Sequence, residues 1–274
     1  MITTALALTK LLAHSRVEMS QRVMITAGGS GIGLAVAKAF AESGAKVHIC
    51  DVDARALDEA TRKHQQIVAT HVNVTDETAI SRWFDAAMGD LKGLDVLVNN
   101  AGTKGPTGYV EDLRLEDWRD CLSVCLDAQF HCAKRAAPIM KGQRSGSIIN
   151  ISSTAGLFGY GLRTPYAAAK WAVIGFTKSL AIELGAFAVR ANAICPGTVE
   201  GPRMERVIKA EAEGRGVSID VIQKEYIQSQ SIKRFVQAEE IADMCLFLAS
   251  PAAKMVSGQA ICVDGHTETF HIGN

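Results

Sequence analysis

The stretch VMITAGGSGIG, residues 23–33, indicates the fold of this chain more directly than any other part of the sequence. Its apolar start predicts a β-strand and its glycines predict a turn. A helical pattern follows, in which Ile32, Val36 and Phe40 recur every four residues. Glycines let backbone N–H groups approach an anion such as a pyrophosphate, which the positive N-terminus of a helix attracts. We therefore expect a phosphate-binding turn. Its candidate residues are Gly28, Ser30, Gly31, Ile32 and Gly33.

From this turn towards the C-terminus, short β-branched runs alternate with longer helical patterns. Such alternation is typical of βαβ units, in which helices cover both faces of a parallel sheet. We predict an α/β fold, a single-domain Rossmann-type doubly wound parallel sheet of about seven strands. The candidate strands are Val23–Thr26, Val47–Cys50, Ile67–His71, Val96–Asn99, Ser147–Ile151, Arg190–Ile194 and Ala260–Val263.

The domain limits follow from the same pattern. Residues 1–18 are interpreted as a dispensable N-terminal extension, because Met19 directly precedes the first strand and could be the real start. Residues 19–274 are expected to form one Rossmann-type domain with no linker. The stretch 197–235 is rich in charge and is expected to be a long irregular substrate loop.

Composition excludes several classes of protein. The 274 residues carry 29 Lys and Arg against 29 Asp and Glu, so no overall charge favours nucleic acid. No apolar run reaches the roughly 18 residues that span a bilayer, and we expect no membrane segment. The seven cysteines form no CxxC pair, which favours free thiols in a reducing cytoplasm and no metal site.

Asp51 follows the second predicted strand, twenty residues after Gly31. A carboxylate at this place accepts hydrogen bonds from the adenosine ribose of a dinucleotide. The same carboxylate repels a ribose 2′-phosphate, and no cation stands beside it at Ser30 or Val52, so NAD is favoured over NADP. Asn73 and Val74 follow the third strand, where they either border the adenine or simply form a turn.

Three further motifs occur in order along the chain. Asn99-Asn100-Ala101-Gly102 ends the fourth strand, Ser153 follows the fifth, and Tyr166-Ala-Ala-Ala-Lys170 opens a helix. Together with the glycine turn, these motifs resemble the short-chain dehydrogenase/reductase family over residues 20–265. The resemblance implies NAD(H)-dependent interconversion of a secondary alcohol and a ketone. It also implies that Asn100, Ala101, Gly102, Pro196, Gly197 and Val199 contact the cofactor.

The spacing of Tyr166 and Lys170 has a physical reason. The two side chains lie one helical turn apart and project from one face. A phenol is a poor base at neutral pH, and a neighbouring ammonium stabilises the phenolate. Tyr166 is therefore the predicted acid/base, and by resemblance Lys170 also binds the nicotinamide ribose. Ser153 is predicted to hold the substrate oxygen as charge develops on it.

Three positions depart from the family pattern. Ala27 replaces the first glycine of the turn, Gly201 replaces a threonine near the nicotinamide, and Cys125 replaces an asparagine that takes part in proton relay. A thiol is a weak donor and acceptor, so we expect Cys125 to act as a small packing residue. These departures leave open a non-catalytic NAD-binding scaffold or sensor, and fold alone leaves open an epimerase or dehydratase.

The substrate and the assembly are less constrained by the sequence. Arg163 and Arg203 are candidate substrate residues for a sugar, polyol or hydroxy acid, although solvated surface arginines would look the same. The helix predicted over 165–183 is apolar nearly all round. We expect it to be buried on both sides, with one side against a second subunit, and the resemblance suggests a homotetramer.

Overall fold

The computed structural model describes residues 20–267, and the proposed extension 1–18 lies outside the described residues. Seven parallel strands form one sheet in the order β3-β2-β1-β4-β5-β6-β7. The strands are β1 (Arg22–Thr26), β2 (Lys46–Asp51), β3 (Ile67–His71), β4 (Val96–Asn99), β5 (Gly146–Ile151), β6 (Val189–Pro196) and β7 (Ala260–Val263). The predicted fold class is confirmed, and the predicted strands differ from these only at their ends.

Helices connect the strands within the described range. They are α1 (Gly31–Glu42), α2 (Ala54–Lys63), α3 (Glu77–Leu91), α4 (Leu115–Leu122), α5 (Ala128–Gln143), α6 (Thr164–Gly185), α7 (Pro202–Arg215), α8 (Ile219–Gln228) and α9 (Ala238–Ala249). Strands β2 and β3 lie on one side of β1, whereas β4 lies on the other. The strand order therefore reverses between β1 and β4, and ligands of doubly wound sheets bind at the carboxyl ends of strands beside such a reversal.

The core has one layer on each face of the sheet, because successive residues of a strand point to opposite faces. In β1, Val23 and Ile25 pack with Phe40 of α1 on one face. Met24, between them, packs with Trp83 of α3 on the other face. The continuous apolar runs of the strands are thus explained by burial on both sides.

The segment 197–235 corrects one expectation. The segment was expected to be an irregular loop, and this expectation is wrong, because it contains two helices, α7 and α8. Helix α7 begins at Pro202 and ends before Gly216, whose φ of 65° is typical of a helix C-terminus. The two helices pack together through a small core of their own, which comprises Ile208, Ala212, Ile222 and Tyr226. Two buried positions on each helix build this core, and Met204 of α7 packs against them. Charged residues occupy most of the positions between them, so the helical spacing of Met204, Ile208 and Ala212 was not recognised.

Helix α6 is longer by a few residues than predicted and presents two different faces. Val173 and Leu180 belong to the face that packs inward. On the opposite side Trp171 is 53% exposed and Ile182 is 83% exposed. Within the described residues, no helix is both long enough and apolar enough to cross a bilayer.

Candidate active site

A cavity of about 470 Å³ lies at the carboxyl ends of the strands and gathers most of the predicted site. Gly28 and Gly33 are the exceptions among the predicted residues, since neither lines the cavity. Those that do are Ser30, Gly31, Ile32, Asp51, Asn73, Val74, Asn100, Ala101, Gly102, Ser153, Arg163, Tyr166, Lys170, Pro196, Gly197, Val199 and Arg203.

Close backbone packing explains the glycines of the turn. A Cβ atom on Gly33 would lie 2.0 Å from the carbonyl oxygen of Ala27, and one on Gly28 would lie 2.6 Å from Cβ of Ile49. Gly31, at the first position of α1, has a φ of +52°. The first turn of α1 borders the cavity at Gly31 and Ile32, where the N-terminus of a helix favours an anion such as a pyrophosphate.

Ala27, one of the three departures, has a left-handed φ of 51°. A Cβ atom in this region costs about 1–2 kcal/mol relative to the right-handed region. The family glycine would avoid this cost, so the alanine is tolerated at a price in stability while the shape of the turn is retained. Its carbonyl oxygen accepts a hydrogen bond from the side chain of Asn100 at 3.0 Å.

The NNAG segment ties the turn to the sheet. The backbone N–H groups of Asn100 and Ala101 both donate to the hydroxyl of Thr26 at 2.9 Å. The side-chain amide of Asn100 donates to the carbonyls of Thr26 and Ala27. The amide of Asn100 is therefore used to hold the glycine turn in place.

Two backbone N–H groups hold the carboxylate of Asp51 in the wall of the cavity. One carboxylate oxygen accepts from the backbone N–H of Gly29 at 3.0 Å, and the other accepts from Asp53 N–H at 3.1 Å. Within the described residues that line the cavity, the Lys and Arg side chains belong to the segments 163–170 and 203–206. The wall next to Asp51 therefore contributes a negative charge and no neighbouring cation.

Asn73 is a turn residue in the wall of the cavity. Its side-chain oxygen accepts from the backbone N–H of Thr75 at 3.1 Å and from the Thr75 hydroxyl at 2.9 Å, which makes it a turn residue. Asn73 and Val74 also line the cavity on the Asp51 side. The turn thus forms part of the cavity wall next to Asp51.

Tyr166 and Lys170 project from one face of α6 into the same cavity as Ser153. Lys170 is almost fully buried, and its Nζ lies 5.7 Å from the centre of the Tyr166 ring. The ammonium donates to the carbonyl of Ile151 at 2.8 Å. This bond holds the positive charge next to the phenol while leaving further N–H groups for a ligand.

The two neighbouring serines have different roles. The Ser152 hydroxyl donates to the backbone carbonyl of Lys170 at 2.8 Å and so joins β5 to α6. The Ser153 hydroxyl accepts from the N–H of Ala155 at 3.1 Å and remains able to donate to a ligand oxygen. Only Ser153 therefore has its proton available for a substrate.

Cys125 lies in a π-helical turn, Ser123–Asp127, between α4 and α5. Its sulfur accepts from the backbone N–H of Thr103 at 3.4 Å and contacts the Thr103 carbonyl oxygen at 3.7 Å. The pKa of the Cys125 thiol is lowered because Cys121 donates a hydrogen bond to it and Lys170 lies nearby. The sulfur is buried, and its contacts with Thr103 hold the loop after β4 against the π-helical turn.

The turn after β6 offers backbone groups to the cavity. Val236 pairs with this turn through the carbonyl of Thr198 and the N–H of Glu200. Because alternate residues of extended chain point to opposite sides, the N–H and carbonyl of Val199 point away from Val236. Gly197 is required for packing, since a Cβ there would lie 2.8 Å from Cα of Asp264.

The guanidinium groups of Arg163 and Arg203 both lie close to the Tyr166 ring. The guanidinium carbon of Arg163 is 5.2 Å from the ring centre and that of Arg203 is 6.0 Å from it. Arg163 is only 5% exposed, so it is not the solvated surface arginine that the sequence left possible. Arg203 is exposed and donates to the Thr103 carbonyl at 2.7 Å, which joins α7 to the loop after β4.

Two tyrosines of the cavity were missed by the sequence analysis. The hydroxyls of Tyr160 and Tyr226 lie 2.6 Å apart, and Tyr226 donates to the carboxylate of Glu211 at 2.8 Å. Burial raises the pKa of both phenols, which keeps them neutral. Tyr160 lies six residues before Tyr166 and could have been suspected, whereas no sequence pattern connects Tyr226 with the site.

Known proteins resemble this chain over most of its length. Residues 26–266 match the family model described as enoyl-(acyl carrier protein) reductase. The D-beta-hydroxybutyrate dehydrogenase of Cupriavidus necator is 34% identical over 88% of this chain and 95% of its own. A solved NAD+-bound xylitol dehydrogenase is 27% identical, with a TM-score of 0.86 over 91% of this chain and all of the other.

A variant of actinorhodin polyketide ketoreductase, solved with NADPH, is also similar. It is 31% identical, with a TM-score of 0.87 over 90% of this chain and 96% of its own. The similarity therefore extends to proteins with either nicotinamide dinucleotide. The match of the family model over nearly the whole chain agrees with the glycine turn, the NNAG segment and the Ser153, Tyr166, Lys170 set. The chain belongs to the short-chain dehydrogenase/reductase family and is an oxidoreductase that acts on CH–OH groups.

Proposed function

We propose that this enzyme is an NAD-dependent dehydrogenase that interconverts a secondary alcohol and a ketone of a small polar molecule. One observation carries the proposal: Ser153, Tyr166 and Lys170 line a single cavity with the glycine turn and Asp51. Relatives whose names specify hydroxybutyrate and xylitol support a small polar substrate.

Each of the three side chains has a defined task in this proposal. When bound, the nicotinamide accepts the hydride of the alcohol or returns it to the ketone. Ser153 donates a hydrogen bond to the substrate oxygen, and Tyr166 takes the hydroxyl proton or returns it. Lys170, held by the Ile151 carbonyl at 2.8 Å, stabilises the phenolate of Tyr166 by its charge.

The choice of NAD rests on Asp51. Its carboxylate is held at the glycine turn by the N–H groups of Gly29 and Asp53, so it cannot swing away freely to admit a 2′-phosphate. A ribose diol would donate hydrogen bonds to the same oxygens. Repulsion of the phosphate and attraction of the diol both favour NAD.

Net formation of reduced cofactor tests the function. We would incubate the purified protein with NAD+ or NADP+ and a panel of secondary alcohols, and follow the absorbance of the reduced nicotinamide. Accumulation of NADH is the expected result. Product without net NADH would identify an epimerase or dehydratase, and NAD binding without any product would identify a scaffold or sensor.

We also propose that the enzyme is a homo-oligomer. Trp171 and Ile182 on α6 and Phe130 on α5 are large apolar side chains that the single chain leaves exposed. Phe130 packs against Phe176 of α6, with ring centres 6.5 Å apart, so the two helices share one apolar surface. A second copy of the chain would cover it. Light scattering at micromolar concentration should give a multiple of the chain mass, and a monomeric mass would contradict the proposal.

A further inference from the structure

Arg163 is a buried cation that has no anionic partner among the described residues. It is 5% exposed, and its guanidinium lies between two aromatic rings, 5.1 Å from the centre of Tyr160 and 5.2 Å from that of Tyr166. Its Nη2 donates to the backbone carbonyl of Lys104. Its Nε is buried and has no hydrogen-bond partner in the described part of the chain. The side chain nevertheless forms part of the cavity wall.

This arrangement is costly without a ligand. A charge that leaves water is stabilised well only by an opposite charge and a full set of hydrogen bonds. A neutral carbonyl and two ring faces compensate only part of the cost. Arg163 can therefore still bind an anion. Its guanidinium lies 5.2 Å from the ring centre of Tyr166, the residue assigned to proton transfer.

The acidic side chains near this end of the cavity are engaged elsewhere. Glu200 accepts a hydrogen bond from the side chain of Gln237 at 2.6 Å. Glu211 accepts from Tyr226 at 2.8 Å and pairs with Arg215 at 3.1 Å. Neither carboxylate neutralises Arg163, so the balancing charge has to come from a bound molecule.

Lys170 and Arg203 increase the positive charge around the same ring. Lys170 Nζ lies 5.7 Å from the Tyr166 ring centre, and the Arg203 guanidinium lies 6.0 Å from it. Within residues 20–267, the Arg203 guanidinium donates only to the backbone carbonyls of Gly102 and Thr103. Three cations thus surround one phenol. Asp51, the carboxylate proposed to bind the ribose, belongs to the opposite end of the site.

We infer that the substrate carries a carboxylate, which Arg163 binds while the carbinol carbon faces Tyr166. This inference rests on the proposed dehydrogenase function and names its substrate class as short hydroxy acids and the corresponding keto acids. The planar guanidinium suits a carboxylate, with which it forms charge-assisted hydrogen bonds. The short distance from Arg163 to the Tyr166 ring limits the length of the substrate, because only a few bonds can separate its carboxylate from the reacting carbon.

Matched pairs of acid and amide test the inference on the native enzyme. The probes are 3-hydroxybutanoate and 4-hydroxypentanoate, each compared with its primary amide, which has nearly the same shape and no charge. We expect kcat/KM to be at least about thirtyfold higher for the better acid than for its amide, the scale of a lost charge-assisted hydrogen bond. Equal values for acid and amide in both pairs would overturn the inference whatever any variant does.

Variants assign the preference to Arg163. Arg163→Gln should remove most of the preference by raising KM for the acid, so that kcat/KM falls at least about tenfold further for the acid than for the amide. Arg163→Lys should retain part of the preference, because it keeps the charge. Arg62→Gln, an exposed arginine on α2, is the matched control and should behave as the native enzyme. Equal losses for acid and amide in Arg163→Gln would mean that Arg163 serves the phenol or the fold and not the substrate.

Two further readouts separate the possible failures. The Kd for NADH, measured by fluorescence, should be unchanged in Arg163→Gln, whereas a weakened Kd would mean that the cofactor phosphates are the anion. If the native enzyme binds NAD but oxidises neither acids, amides nor other alcohols, the proposed function fails. If it oxidises neutral alcohols as fast as acids, only the substrate class fails.

Discussion

The two ends of the cavity are built by different means. The end proposed to bind the nucleotide consists largely of backbone groups around the glycine turn, such as those at Gly31, together with the Asp51 carboxylate that the turn holds. The substrate end consists of long side chains from distant segments, among them Arg163, Tyr166 and Arg203. A backbone-built site changes little unless the chain itself moves, whereas a side-chain-built site changes with a single substitution. This difference explains how one fold can keep its cofactor and vary its substrate.

Tyr166→Phe should give the largest difference between the two ends, because it should lower turnover strongly and leave cofactor binding nearly unchanged. The variant loses the proton-transferring hydroxyl and keeps the ring that Lys170 and Arg163 pack against. We expect turnover to fall at least about a hundredfold, since a general acid/base contributes about 10²–10⁴. The Kd for NADH, measured by fluorescence titration, should stay within about threefold. Retained turnover would show that another group moves the proton.

Asp51→Ala should affect the opposite end. The variant removes the repulsion of a 2′-phosphate and the hydrogen bonds to the ribose, which together are worth a few kcal/mol. We expect the ratio of kcat/KM for NAD to that for NADP to fall by about tenfold or more, with the ranking of alcohols unchanged. Asp58→Ala, on the exposed side of α2, is the control. Equal use of both cofactors by the native enzyme would contradict this assignment.

Cys125→Ala tests the contact between the π-helical turn Ser123–Asp127 and the loop after β4. The substitution removes weak sulfur hydrogen bonds to the backbone of Thr103, so we expect turnover to remain within about tenfold of the native value. Cys125→Asn, which restores the family residue, should be neutral or faster. If folded Cys125→Ala binds NADH and is as inactive as Tyr166→Phe, the thiol takes part in catalysis.

The smallest effect is expected at Ala27, inside the nucleotide end. Glycine relieves the strain of the left-handed φ of 51° but gains more entropy in the unfolded chain, so Ala27→Gly should raise the free energy of unfolding by about 0.5–1 kcal/mol. Denaturant titration measures the change. Ala188→Gly, at a similar φ of 57° away from the cavity, should stabilise by a similar amount. A loss of stability only at Ala27 would mean that its methyl group packs usefully.

The sequence by itself determined the fold class and the strand positions, and it predicted the residues proposed for the nucleotide end. These features rest on short-range patterns: alternating buried runs, glycines at a turn, a carboxylate after the second strand, and Tyr166 and Lys170 one helical turn apart. Each of them can be recognised within a few residues, because strand and helix geometry relate neighbours in the chain to neighbours in space. The departure at Cys125 was also visible, although its contact with Thr103 was not.

Only the tertiary structure decided the substrate end. An arginine in a sequence is ordinarily expected at the surface. Arg163 is buried because the Tyr160 and Tyr166 rings and the carbonyl of Lys104 enclose it. Likewise, α7 and α8 pack together through a small apolar core, and neither helix shows in its own sequence which partner it packs against. Tyr226 joins the site from 60 positions after Tyr166. Such burial depends on which segments the fold brings together, and local sequence does not contain that information.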